Sequence, residues 1–126
     1  MVIDSSIILA IMLEEPKARE YARSILEAPV RVISAASFVE CGLRLTNLRG
    51  ELGLPQLEVF LMRSRIEVVS LDEEQARIAV RAFEKYGKGR HPAGLNYGDC
   101  LSYALAKIRR EPLFYQGNDF SQTDLA

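Results

Sequence analysis

The chain has one histidine, His91, and two cysteines, Cys41 and Cys100, among its 126 residues. A zinc site with histidine ligands needs more imidazoles or a thiolate cluster, so that chemistry is excluded. Two isolated cysteines make no disulfide framework. Each directly follows an acidic residue and reads as a small core filler, with a Cys41–Cys100 disulfide as the alternative. Net charge is −1, so no general basic field advertises nucleic acid, and a polyanion would need a local patch or a metal ion. No apolar run is long enough to cross a bilayer. The first residues read as a strand and not as a charged segment followed by a cleavable apolar one, which predicts no secretory signal. Reduced thiols, a cytoplasmic location and no membrane partner are the expectation. No repeat, low-complexity stretch or linker divides the chain, so residues 1–126 are expected to form one domain with one core.

Short apolar runs alternate with longer segments of helical period, the pattern of a parallel sheet covered by helices. Strands are expected over 1–3, 30–33, 66–69 and 113–115. They are rich in Val and Ile and scarcely alternate, as strands buried on both faces do. Helices are expected over 7–13 and from Pro16 to Pro29, then over 36–48 with Ala36, Val39 and Leu43 inward. Another runs over 55–63 with Leu57, Phe60 and Leu61 inward. A capping box from Asp72 to Gln75 opens the next, with Ala76, Ala79, Val80 and Phe83 inward. The last starts at Asn96 and ends near Arg110, with Pro112 beyond it. Gly87, Gly89, Pro92 and Gly94 make 86–95 a loop.

Four acids punctuate this pattern. Asp4 follows the first strand and Asp119 the last, while Glu40 and Asp99 are expected in first turns of helices. Ligand sites of open α/β sheets form outside the carboxyl ends of the strands. Each acid has a local explanation: an N-cap for Asp4, capping boxes for Ser37–Glu40 and Asn96–Asp99, an Asx turn for Asp119. Caps do not explain convergence at one end of one sheet. Two unit charges 4 Å apart repel by roughly 4 kcal/mol at an effective dielectric of 20. Four gathered carboxylates therefore call for a cation, and oxygen ligands without His or Cys point to Mg²⁺ or Mn²⁺. Lys88, Arg90 and His91 stand on the glycine-rich loop just ahead of Asp99. They read either as phosphate contacts beside a metal site or as a solvated loop. Arg44 and Arg49 are weaker candidates.

The run Val2-Ile3-Asp4-Ser5-Ser6, the segment from Tyr86 to Asp99 and the closing Gly117-Asn118-Asp119-Phe120 occur in order across the chain. In these pieces the sequence resembles PIN-domain ribonucleases, and among them the VapC toxins of bacterial type II toxin–antitoxin modules. The resemblance implies a three-layer α/β/α sandwich with a mainly parallel sheet. It implies Asp4, Glu40, Asp99 and Asp119 as the catalytic and metal-holding quartet, with Ser6 orienting a carboxylate and Asp124 as a supporting acid. The implied reaction is Mg²⁺- or Mn²⁺-dependent hydrolysis of an RNA phosphodiester. The implied partners are RNA, a cognate VapB-type antitoxin and a second copy of the chain in a homodimer. Gln116 and Gly117 depart from the Thr or Asn that some members carry before the last acid. Two rivals stand beside this reading. A phosphorylated receiver domain would need paired acids after the first strand and an Asp ending a later one, which are missing here. A non-catalytic PIN-like binding module would keep the fold without the reaction.

Overall fold

A computed structural model describes residues 1–125. The elements run β1 (Val2–Ile3), α1 (Ser5–Met12), α2 (Ala18–Glu27), β2 (Val32–Ser34), α3 (Ala35–Arg49), α4 (Gly53–Arg63), β3 (Glu67–Val69), α5 (Glu73–Tyr86), α6 (Tyr97–Arg109) and β4 (Leu113–Phe114), with a 3₁₀ turn at Gly50–Leu52. The four strands are all parallel in the order β3-β2-β1-β4. Val2 is in register with both Val32 and Leu113. β1 is therefore central. The chain leaves it first for β2 on one side and last for β4 on the other, a topological switch point at its carboxyl end.

The period of two in β1 and β2 separates the layers. Ile3 and Ile33 join Ile7, Ile8, Ile25, Cys41, Leu45, Leu57 and Leu61 on one face. Val2 and Val32 pack with Leu105 and Ala106 of α6 on the other. Helices α1 to α4 thus cover one side, α6 the other, and α5 packs on α6 through Ala79, Ala82, Tyr86, Tyr103 and Ala104. This is the parallel sheet covered by helices that the alternation predicts, in the three α/β/α layers that the resemblance implies.

Burial on both faces holds for β1 and β2 and fails for β3, where Glu67 and Val68 are exposed. β3 is an edge, and an edge strand opens one side to water. The inward faces of two helices also differ from expectation. On α3, Ser37, Cys41 and Leu45 are buried while Val39 and Leu43 are exposed. Apolar residues line nearly opposite stripes of this helix, so periodicity could not choose between them. The stripe carrying Ser37 turns inward because that hydroxyl meets Ser102 of α6. On α5, Gln75, Ala79, Ala82 and Tyr86 are buried, whereas Val80 and Phe83 are exposed. The expected box at Asp72 forms by half. Asp72 accepts the Gln75 N–H at 2.9 Å, but the Gln75 amide donates to the Ser70 carbonyl.

Candidate active site

Asp4 ends β1 and caps α1, accepting the Ser6 N–H at 3.1 Å. Its Oδ2 also accepts the Ser6 hydroxyl at 2.7 Å, and its Oδ1 accepts the Ser102 hydroxyl at 2.7 Å. Ser102 has one hydroxyl proton and spends it on Asp4. Ser37, 3.1 Å away and fully buried, must therefore donate to the Ser102 oxygen. Ser6 in turn accepts the Gln116 N–H at 3.1 Å, and the Gln116 side-chain carbonyl accepts the Tyr21 hydroxyl at 2.9 Å. Asp4 is thus held from both oxygens by a network spanning α1, α3, α6 and the turn after β4. Gln116, the departure noted in the sequence, is part of it.

Asp99 lies in the first turn of α6 in the expected reciprocal box with Asn96, at 2.9 and 3.0 Å. It is buried. Burial pushes its carboxyl from 3.8 up to about 6; the Asn96 N–H opposes this, and the charges of Asp4, Asp119 and Glu40 add to it. One carboxylate therefore feels all three of the other predicted acids.

Glu40 corrects the expectation of a first-turn cap. Ser34, not Ser37, is the N-cap of α3, accepting the Ala36 N–H at 3.2 Å, and Glu40 falls in the second turn. The carboxylate instead lies against Gly98, where a Cβ would collide with both of its oxygens. Its carboxyl is raised first by burial and then by Asp4, with partial relief from the Ser5 hydroxyl. Glu40 Oε1 is buried without a hydrogen-bond partner, an unmet acceptor facing a cluster of like charge. Asp119 is exposed at the rim, after β4.

The donor set fits a hard cation: it is all oxygen, mutually repelling, and contains an orphaned buried acceptor. Among the described residues, no three His, Cys, Asp or Glu side chains are yet close enough together to enclose an ion. Asp4, Asp99, Glu40 and Asp119 would have to draw inward to bind one.

The remaining candidates have definite places. His91 Nδ1 accepts the Ala93 N–H at 3.0 Å, and its ring meets Tyr86 edge-on at 5.2 Å. Arg90 lies over the Phe83 ring at 5.9 Å, and Lys88 is exposed. Asp124 accepts from the Tyr103 hydroxyl at 2.8 Å and from Lys107 at 2.7 Å. Burial raises its carboxyl, but Lys107 and Tyr103 outweigh this and hold it below its ordinary value. It anchors the C-terminal segment to α6, and none of its hydrogen bonds reaches the quartet. Arg49 bonds Gln56 and the Met12 carbonyl, and Arg44 is exposed. Both cysteines are free and buried. Burial pushes both thiols up, Cys100 to about 11. Ser102 was not among the residues the sequence singled out, and Ser37 entered only as a helix cap. The one available signal was a serine within the otherwise apolar run 100–106 of α6.

Acidic residues at the switch point of a parallel α/β/α sandwich define a class of protein before any relative is considered. The PIN domain family matches residues 1–125, and the chain belongs to that family. Ribonuclease VapC of Mycolicibacterium smegmatis is 44% identical over 126 residues, covering 100% of this chain and 98% of the relative. Ribonuclease VapC28 of Mycobacterium tuberculosis is 46% identical over 124 residues, covering 98% and 93%. Among solved structures, Mycobacterium tuberculosis VapC20, described as a sarcin-ricin loop cleaving toxin, superposes with a TM-score of 0.76 at 15% identity, covering 95% and 92%. A toxin–antitoxin complex from Klebsiella pneumoniae gives 0.74 at 16% identity, covering 98% and 92%. At such identities the structures bear on the fold, and they agree with the expected sandwich.

Proposed function

We propose that this chain is a divalent-metal-dependent endoribonuclease, the toxin of a toxin–antitoxin pair. The observation that carries the reading is that Asp4, through Ser102, and Glu40, against Gly98, both meet the helix that carries Asp99, with Glu40 Oε1 left unsatisfied. Relatives named as VapC ribonucleases at over 40% identity along the full chain support the substrate class.

Asp4 and Asp99 are the residues that would hold Mg²⁺ or Mn²⁺, with Glu40 and Asp119 binding directly or through water. The cation supplies Lewis-acid activation of water and neutralises charge on the phosphoryl oxygens. The serines on Asp4 keep that carboxylate in one orientation before substrate arrives, which lowers the reorganisation needed at reaction. In this reading a carboxylate of the quartet that swings free of the ion takes the proton of the attacking water, and Glu40 would have to move off Gly98 to do so. Lys88 and Arg90 in this reading offer positive charge to flanking phosphates, and the outer nitrogen of His91 offers a neutral N–H donor. Asp124 acts at a distance, by fixing the segment that carries Asp119.

Two protein partners belong to this reading, and uncovered apolar side chains support them. Val39 and Leu43 on α3, with Val59 and Met62 on α4, are exposed and suit an amphipathic antitoxin segment. Val80 and Tyr97, with Phe83 and Leu71, form another exposed set suited to a second copy. Among the described residues, no helix is long and apolar enough to cross a membrane.

Asp4→Asn is expected to abolish Mg²⁺-dependent cleavage of an RNA oligonucleotide, read as loss of product on a gel. Equal cleavage by both forms would refute the assignment. The second reading, a non-catalytic binding module, draws on the spread of the acids. It predicts RNA retention without product at any Mg²⁺ or Mn²⁺ concentration.

A further inference from the structure

Outside the acid crevice, positive charge collects between the last two helices. A cavity of about 470 Å³ opens there, lined by Arg81 and Lys85 of α5, Lys107 of α6, Arg110 just beyond it, and Tyr103; Glu74 is the one acid on its wall. Four cations around one groove are a marked excess in a chain of net charge −1. One of the four, Lys107, is paired with Asp124, and the neighbouring Arg77 and Arg109 are paired with Glu73 and Glu67. Among the described residues Arg81, Lys85 and Arg110 have no such carboxylate partner. The C-terminus of α6 contributes roughly half a negative charge, which Lys107, Arg109 and Arg110 more than offset.

The groove is in line with the acids. At 100° per helical residue, Asp99, Tyr103 and Lys107 fall within about 80° on one stripe of α6, and Arg110 follows at its C-cap. At 1.5 Å per residue, Lys107 stands about 12 Å and Arg110 about 16 Å along the axis from Asp99. The Tyr86 and Tyr103 rings, 5.9 Å apart, bring the end of α5 beside the middle of α6. Tyr103 lies about 6 Å along that axis from Asp99, and Lys85, next to Tyr86 on α5, lines the groove. Lys85 also stands over the Tyr86 ring at 5.1 Å. Cations tracking along a groove with aromatic surface beside them are what a single-stranded nucleic acid backbone binds.

We infer that the α5/α6 groove binds the phosphate backbone of the RNA strand flanking the scissile bond, a contact that rests on the ribonuclease reading. Arg81, Lys85 and Arg110 each neutralise backbone charge, and the strand runs from the acid crevice along α6.

The test uses the full chain carrying Asp99→Asn, so that RNA is bound without being cut, and a fluorescent 12-nucleotide RNA followed by anisotropy over a KCl series. Each phosphate contact on a single strand contributes about 0.7 to the slope of log affinity against log salt. The triple variant Arg81→Gln, Lys85→Gln, Arg110→Gln is expected to lower that slope by about 2 and the affinity by ~10-fold at 0.1 M salt. Arg81→Lys, Lys85→Arg, Arg110→Lys is expected to keep both. Lys17→Gln with Arg23→Gln on α2 is expected to change neither. Thermal melting of each variant keeps unfolding from passing for lost contacts. Unchanged slope and affinity in the triple variant, with RNA still bound and the unaltered chain still cutting, overturn the groove and leave the ribonuclease reading standing. An equal loss for polyglutamate would assign the groove to an acidic protein and also overturn it. Absence of both RNA binding and cleavage removes the two together.

Discussion

Asp4 and Asp99 sit in the same crevice but are held by different means. Three donor contacts satisfy Asp4, two from Ser6 and one from Ser102. Asp99 receives one backbone donor and faces three other acids, and its carboxyl stands at about 6. A folded-state value above the unfolded 3.8 means the folded, metal-free protein holds this proton more tightly. The stabilisation is complete below about pH 4 and is lost as pH rises through about 6. That range corresponds to about 3 kcal/mol. Asp99→Asn is therefore expected to raise the metal-free melting temperature at pH 7 and flatten its fall between pH 4 and 7, while abolishing cleavage. A melting temperature below that of the unaltered protein at pH 7 would contradict the repulsion. Mg²⁺ affinity should rise over the same range, since the ion and the proton compete for one oxygen set. Ser102→Ala removes a donor from Asp4 and strands the buried Ser37 hydroxyl. A loss of roughly 1–3 kcal/mol in urea unfolding is expected. A loss within error would mean that Asp4 is oriented without this relay.

Helix α6 brings the site together, because it carries Asp99, Ser102 and Gly98 within two turns. Gly98 is there because Glu40 of α3 lies against it. A methyl group at that position meets the far end of a flexible side chain, so Glu40 can swing away at little cost to the fold. Alanine also gains roughly 0.5–1 kcal/mol over glycine inside a helix. Gly98→Ala should then leave stability unchanged or higher, while cleavage and Mn²⁺ affinity fall together. Full cleavage by a Gly98→Ala protein would show that the position of Glu40 is immaterial. The capping box of Asn96 and Asp99 joins the end of the basic loop to the same helix start.

At the scale of the molecule, the sheet order decides which ends meet. With β1 between β2 and β4, Asp4, the start of α3 and the turn before Asp119 are brought to one edge. The same packing leaves one side of α5 uncovered, with Val80 61% exposed and Tyr97 of α6 77% exposed. If that face holds a second copy, Val80→Asp should shift the light-scattering mass from dimer to monomer with secondary structure intact. A monomeric unaltered chain at micromolar concentration would remove the dimer. Loss of dimerisation with cleavage retained would place the reaction within one subunit.

Local chemistry was enough for the strand and helix succession, for the caps at Asp4 and Asn96–Asp99, and for the four acids as candidates. These depend on neighbours a few residues apart, and short-range sterics and hydrogen bonding write them directly into the chain. The inward face of α3 was a different matter, since Cys41 and Leu45 on one stripe compete with Val39 and Leu43 on another. Only the approach of α6, with Ser102 meeting Ser37, selected between them. Ser102 and Asp4 are 98 residues apart, and no local pattern encodes a hydrogen bond between them. Glu40 looked like a cap and is instead a half-buried carboxylate packed on a glycine from another helix. Long-range packing decides such pairings because burial energy depends on which surfaces meet, and that is set by the assembled sheet.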